Sequence, residues 1–198
     1  MKFIDKNTIK LDKVLNKLDE FVIDFVPLLD KVGIKYVIIS GYVAILFGRN
    51  RSSEDIDLFI EKISIEKFKR LWDELIKKFE CVITDDLEDA YFEYLNKNSA
   101  IRFARKNEFV PNIELKFPKV ELDSWTLNNK KEIILNGTKI FVSFLELQIS
   151  YKLFLGTEKD IEDAKYLYDL FKGKLNNEIL ENFNRKLKVV DMFNKYLK

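Results

Sequence analysis

Asp55 and Asp57 stand one residue apart in the run Ser53-Glu54-Asp55-Ile56-Asp57-Leu58-Phe59-Ile60. On an extended chain alternate side chains project to one face, so this spacing sets two carboxylates side by side at a sheet edge. Hard oxygen donors so placed suit a divalent cation such as Mg²⁺, which keeps open positions for phosphate and water. Just upstream, Ser40-Gly41 separates the apolar run Tyr36–Ile39 from another apolar segment. A turn there, leading into a helix, would offer backbone N–H groups and a positive dipole end to an anion. Cation ligands and an anion cradle are therefore expected within residues 36–61.

A third acid, Glu114, lies in Asn112-Ile113-Glu114-Leu115-Lys116-Phe117, where apolar and charged residues alternate. Ile113, Leu115 and Phe117 face the core, and Glu114 and Lys116 share the other face. If that strand neighbours the Asp55–Asp57 strand, Glu114 completes a three-carboxylate metal site and can assist deprotonation of a hydroxyl. With two ions bound, one lowers the pKa of the attacking hydroxyl and the other neutralises the leaving pyrophosphate. The 198-residue chain contains no histidine. This removes serine–histidine and cysteine–histidine nucleophile schemes and histidine metal sites, and it leaves the chemistry to carboxylates, Lys, Arg, Tyr or a bound cation.

Thirty-four basic residues against thirty-three acidic ones give a net charge of +1, so a polyanion would have to be held by a local patch. The lone cysteine, Cys81, excludes internal disulfides and a cysteine-built metal cage. No apolar run is long enough for a membrane span, and the N-terminus lacks the basic-then-apolar pattern of a secretory signal. A soluble cytoplasmic protein with no membrane partner is the expectation.

The elements that must position these residues can be read in order. Apolar residues at helical spacing predict a helix over 11–32, kinked or split by Pro27 and stopped by Gly33. Next come a buried strand at 35–39, a short helix at 42–47 ended by Gly48, a strand at 55–61, and a helix at 65–79 capped by Ser64. Short β-rich runs predict strands at 81–84, 90–95, 100–105 and 112–117, with a hairpin turn at 96–99. Asn136-Gly137 predicts a hairpin between 131–135 and 139–142. Ser143 with Glu146 reads as a capping box opening a helix at 144–155, and Thr157 caps a helix running to Gly173. Asp160 and Asp163 read there as structural acids near a helix N-terminus. A last helix is expected over 177–197. The expected class is α+β: a mixed sheet flanked by helices over residues 1–142, and a packed helical subdomain over 143–198.

Taken together, the strand, the Ser-Gly turn, the helix, the Asp-x-Asp strand and the later acid resemble the nucleotidyltransferase superfamily related to DNA polymerase β. They are similar in particular to a bacterial and archaeal group that includes toxin–antitoxin and abortive-infection proteins. That group's motif, roughly G-G-x-A-x-x-x-x-G followed by R-x-T-x-D-hydrophobic-D, falls on Ser40, Gly41, Ala44 and Gly48, then on Arg51, Ser53, Asp55 and Asp57. Its helical Lys-Asp-x-x-Asp-Ala signature falls on residues 159–164. Ser40 stands where the pattern has its first glycine, and Glu114 where aspartate is commoner.

The resemblance implies a polymerase β-like core in which Asp55, Asp57 and Glu114 are catalytic and bind Mg²⁺ or Mn²⁺. It implies that Ser40, Gly41, Arg51, Ser53 and Lys152 contact the nucleotide. The activity it implies is transfer of a nucleoside monophosphate from ATP or another NTP to a hydroxyl of an RNA 3′ end, such as that of tRNA, or of a protein. A cognate toxin or antitoxin would be a partner. The other readings kept open are a catalytically silent module that binds nucleotide or a partner, and a metal-dependent phosphohydrolase.

Overall fold

The computed structural model describes residues 1–198. Nine strands form one mixed sheet: β1 (Lys2–Phe3), β2 (Thr8–Leu11), β3 (Tyr36–Ile39), β4 (Asp55–Ile60), β5 (Phe79–Cys81), β6 (Ile101–Arg105), β7 (Asn112–Lys116), β8 (Lys130–Leu135) and β9 (Thr138–Ser143). Their spatial order is β1-β2-β8-β9-β3-β4-β7-β6-β5. The helices are α1 (Lys17–Val32), α2 (Gly41–Leu46), α3 (Ile65–Leu75), α4 (Glu121–Asn128), α5 (Leu145–Leu155), α6 (Glu158–Phe171), α7 (Asn177–Lys186) and α8 (Val190–Tyr196). The architecture is the expected α+β class, a mixed sheet flanked by helices. No helix is long and apolar enough to cross a membrane.

The register at the centre of the sheet matters most. β3 runs antiparallel to β4 with Ile39 opposite Asp57, and β4 runs parallel to β7 with Asp57 opposite Glu114. β6 then pairs antiparallel with β7 and sets Arg102 opposite Glu114. Strand alternation explains why this register holds. Ile56, Leu58 and Ile60 of β4 and Ile113 and Leu115 of β7 are fully buried on one face, and a one-residue slip of either strand would exchange them for the acids.

Helix α1 covers the sheet with Phe21, Val22, Phe25, Val26 and Leu29, all fully buried. An Asn16–Asp19 capping box starts it, and Gly33, at φ 68°, ends it in the left-handed conformation. Pro27 lies inside this helix and does not split it. An interior proline costs about 3 kcal/mol. Each fully buried large apolar side chain contributes roughly 1.5–3 kcal/mol, so the buried face outweighs it.

Asp19 is fully buried on this helix. It accepts hydrogen bonds from Asn16 N at 2.9 Å and Tyr42 Oη at 2.8 Å, and Lys13 Nζ lies 2.8 Å from it. Burial and the Asp19 charge push the Tyr42 hydroxyl far above its ordinary range, so it stays a donor. Tyr42→Phe is expected to lower stability by about 1–3 kcal/mol, because a buried carboxylate loses a partner. Urea unfolding should show the midpoint fall with the slope unchanged; an unchanged midpoint would mean that the hydroxyl does not support Asp19.

Several elements depart from the sequence expectation, each for a local reason. The expected helix from residue 11 begins at Lys17, because Thr8–Leu11 pairs in parallel with β8 instead. The expected strand at 90–95 is a π-helical turn, Asp89–Tyr94, running into a 3₁₀ turn, Leu95–Lys97, so no hairpin forms at 96–99. Asp86 accepts from Asp89 N at 2.8 Å to start that turn, and helical spacing buries Tyr91 together with Leu95. The aromatic content that suggested a strand serves packing in either conformation.

The Ser143–Glu146 capping box does not form. Ser143 ends β9 and donates to Gln148 Oε1 at 2.9 Å, whereas Glu146 accepts from Asn176 N at 2.8 Å. The expected last helix is two helices, broken where Lys188 takes φ 57°. Strand β5 is 79–81, which shortens the expected helix before it to Ile65–Leu75, and α4 was not expected at all.

Candidate active site

The carboxylates meet at the β4–β7 pair. Asp55 is exposed at the start of β4 and accepts from Ser53 Oγ at 3.2 Å. Asp57 is half-buried, with Lys116 Nζ 2.5 Å from its Oδ1. The same ammonium lies 2.8 Å from Glu114 Oε2, and Arg102 reaches Glu114 Oε1 with Nε at 2.6 Å and Nη2 at 2.5 Å. Asp57 and Glu114 are thus adjacent, but the acids do not converge as a three-ligand metal group, because Lys116 stands between two of them.

This pairing changes the chemistry of each acid. Burial pushes the Asp57 carboxyl up, against the pull of Lys116. Burial also raises Glu114, but hydrogen bonds and charge from Lys116 and Arg102 outweigh it and hold that carboxyl below its ordinary range. Glu114 is therefore a weaker base than its sequence position suggested. The donor set tests differently at its two ends. Asp55 and Asp57 offer carboxylate oxygens on one face, one of them open, which fits a hard divalent cation. Glu114 already has two cationic partners.

The Ser40–Gly41 turn is packed against Arg51. At Ser40 the backbone takes φ 64° and ψ −140°, a region suited to glycine, and the conformation costs of order 1–3 kcal/mol. Gln148 Nε2 donates to the Ser40 carbonyl at 2.6 Å and holds the turn. Arg51 lies against Gly41 so closely that a Cβ there would fall 1.8 Å from Nη2. The Arg51 side chain is 10% exposed and makes no hydrogen bond; its Nε lies 3.3 Å from Asp163 Oδ1, an ionic contact only. Helix α2 is short, so the fixed positive charge at this turn comes from Arg51 more than from a helix dipole.

Asp163, fully buried on α6, ties this region to the C-terminal helices. Arg49 Nη1 donates to its Oδ1, and Lys152 Nζ lies 2.9 Å from its Oδ2, out of line for a hydrogen bond. Lys152, from α5, is itself buried and donates to Asp160 Oδ1 at 2.6 Å. Arg51 also borders an open groove of about 480 Å³, whose lining includes Lys13, Lys17, Arg49 and Ser53. On the other side of Ser40, Ile39, Phe59, Asp123, Gln148 and Tyr151 line a small cleft, of about 60 Å³, between the sheet and helices α4 and α5.

All the residues singled out in the sequence occur in two adjoining clusters. Asp55, Asp57, Glu114 and Ser53 form one, and Ser40, Gly41, Arg51 and Lys152 border the other. Sequence reasoning missed Arg102, Gln148 and Arg49 as members, read Asp163 only as a structural acid, and gave Lys116 no more than a shared face with Glu114. Lys116 carried a signal in its alternation with Glu114, Asp163 one in the 159–164 signature, and Arg49 shares a loop with Arg51; Arg102 and Gln148 arrive from distant elements.

No protein-family model matches the chain, and no curated protein matches it in sequence. Among solved structures it is similar to an antigenic nucleotidyltransferase-like protein from Paracoccidioides brasiliensis, with TM-score 0.55 and 21% identity over 91% of this chain and 92% of that one. It is also similar to a lincosamide antibiotic adenylyltransferase, LnuA, with lincomycin bound (TM-score 0.49, 15% identity, 78% of this chain and 98% of that one). A CCA-adding enzyme in complex with ATP aligns with TM-score 0.39 and 12% identity over 92% of this chain, which spans about half, 52%, of that enzyme. The first of these likenesses shows that the chain has the nucleotidyltransferase fold.

Proposed function

We infer that this protein is a nucleotidyltransferase that moves a nucleoside monophosphate from an NTP to an acceptor hydroxyl. The observation that carries this reading is Arg51. Its side chain is nine-tenths buried and seated on Gly41 beside the Ser40 turn, and its Nε, in ionic contact with Asp163, makes no hydrogen bond. A cation held so close to the Ser40–Gly41 turn is matched to a phosphate, and the Asp55–Asp57 pair begins across the same sheet end. Residues 1–142 would form the catalytic unit, and the helices of 143–198 would supply Lys152 and Asp163 to brace the arginines.

In the reaction, the acceptor oxygen bonds to the α-phosphorus as the bond to the β-bridging oxygen breaks, pyrophosphate leaves with that electron pair, and the hydroxyl proton passes to water. Asp55 and Asp57 would hold a divalent cation, Mg²⁺ or Mn²⁺, which supplies charge to neutralise the phosphates. Arg51 and the Ser40–Gly41 backbone orient the triphosphate, and Ser53 holds Asp55. The basic groove beside Arg51 suits an anionic acceptor such as an RNA 3′ end. A protein acceptor and a toxin–antitoxin role come from the resemblance alone.

Incubating the protein with labelled NTPs and Mg²⁺ against tRNA and candidate partner proteins tests this. Label should enter an acceptor with wild type and not with Asp57→Ala; equal labelling by both would overturn the reading. The bridging of Asp57 and Glu114 by Lys116 favours a second reading, a catalytically silent nucleotide-binding module. Calorimetry that finds NTP binding without turnover and without a Mg²⁺ requirement would select it.

Gly41→Ala gives a finer check. Its new methyl group must push the Arg51 guanidinium aside, and only a side-chain end moves, so Tm should hold within a few degrees. NTP affinity should fall roughly tenfold, the loss of one charge-assisted contact. Unchanged affinity would remove Arg51 from the phosphate grip.

A further inference from the structure

Glu114 is 7% exposed, yet it is saturated by cations of the chain itself. Lys116 spans from its Oε2 to Asp57 Oδ1, and Arg102 holds its Oε1 with two nitrogens. A divalent cation bridging Asp57 and Glu114 would need metal–oxygen distances of about 2.0–2.1 Å on the side where the ammonium lies. The two cannot share that space. Asp55 differs, since it is exposed and bound only by the Ser53 hydroxyl.

Charge points the same way. Three carboxylates with two divalent ions carry a net charge of plus one. Here Lys116 and Arg102 already offset two of the three acids, and a single divalent ion brings the cluster to the same plus one. A second ion would leave it at plus three, with like charges in contact.

We propose that the acidic site of this protein holds one divalent cation, between Asp55 and Asp57, and that Lys116, anchored by Glu114, is a built-in replacement for a second. Glu114 is then a positioning residue for the ammonium and not a metal ligand. The proposal rests on the nucleotidyl-transfer reading and refines its cation requirement.

Counting Mn²⁺ bound to the full chain by electron paramagnetic resonance, with a saturating non-hydrolysable NTP analogue, tests it. Wild type and Glu114→Gln should each bind one Mn²⁺, and Lys116→Gln should bind two. Two ions on wild type, loss of the ion in Glu114→Gln, or a single ion on folded Lys116→Gln would each overturn the proposal while leaving nucleotidyl transfer standing. No Mn²⁺ on wild type would overturn both. Circular dichroism establishes that each variant is folded, and the wild-type count decides the proposal even if Lys116→Gln does not fold.

Discussion

Asp163→Ala is expected to destabilise the protein by about 3–5 kcal/mol, the cost of removing one partner from a buried ionic group. Asp163 is fully buried and meets three cations, Arg49, Arg51 and Lys152, drawn from the loop before β4 and from α5. Without it those charges face one another with Asp160 and Glu162 as the remaining acids, and Glu162 is largely exposed. For a chain of this size the loss corresponds to a drop in Tm of roughly 10 °C. Asp163→Asn keeps the shape and still removes the charge, so its loss should be comparable; a change under about 1 kcal/mol in both variants would show that the arginines are held by packing alone. Differential scanning calorimetry reads both. Because Arg51 leans on Asp163, NTP affinity should fall alongside stability.

Asp57→Asn should do the reverse, leaving the fold and removing the proposed transferase activity. Its side chain is part-buried, and burial already disfavours its charged form, so a neutral amide of the same shape costs the native state little. Lys116 keeps Glu114 at 2.8 Å as an anchor. The proposed cation site between Asp55 and Asp57, however, loses one of its two charges. Loss of such preorganised electrostatic stabilisation lowers the rate of labelled nucleotide transfer by roughly 10²–10³-fold. Tm should stay within a few degrees of wild type. Full transfer by Asp57→Asn would place the chemistry elsewhere.

Much of the central sheet was legible because its strands alternate so strictly. Ile56, Leu58 and Ile60 against Asp55, Asp57 and Phe59 leave one possible facing for β4, and Ile113 and Leu115 do the same for β7. Turn chemistry was legible too: Asn136-Gly137 joins β8 to β9, and Thr157 caps α6 through Asp160 N. Where local signals had a competing partner, they failed. Ser143 and Glu146 have the spacing of a capping box, but Gln148 and Asn176 claim their side chains. Tyr91 to Tyr94 have the composition of a strand, but an Asp86 cap and helical burial decide otherwise.

The same division runs through the site. By itself the sequence determined that two carboxylates share one face of a strand, that a small-residue turn precedes them, and that no histidine is available. These follow from period-two geometry and residue chemistry, which need no knowledge of neighbours. Only the tertiary structure decided that Glu114 sits beside Asp57, that Lys116 and Arg102 neutralise it, and that Arg51 is pinned between Gly41 and a buried Asp163. Those facts depend on strand register and on helices far along the chain, and electrostatic pairing is set by distances of a few ångströms that sequence spacing does not encode.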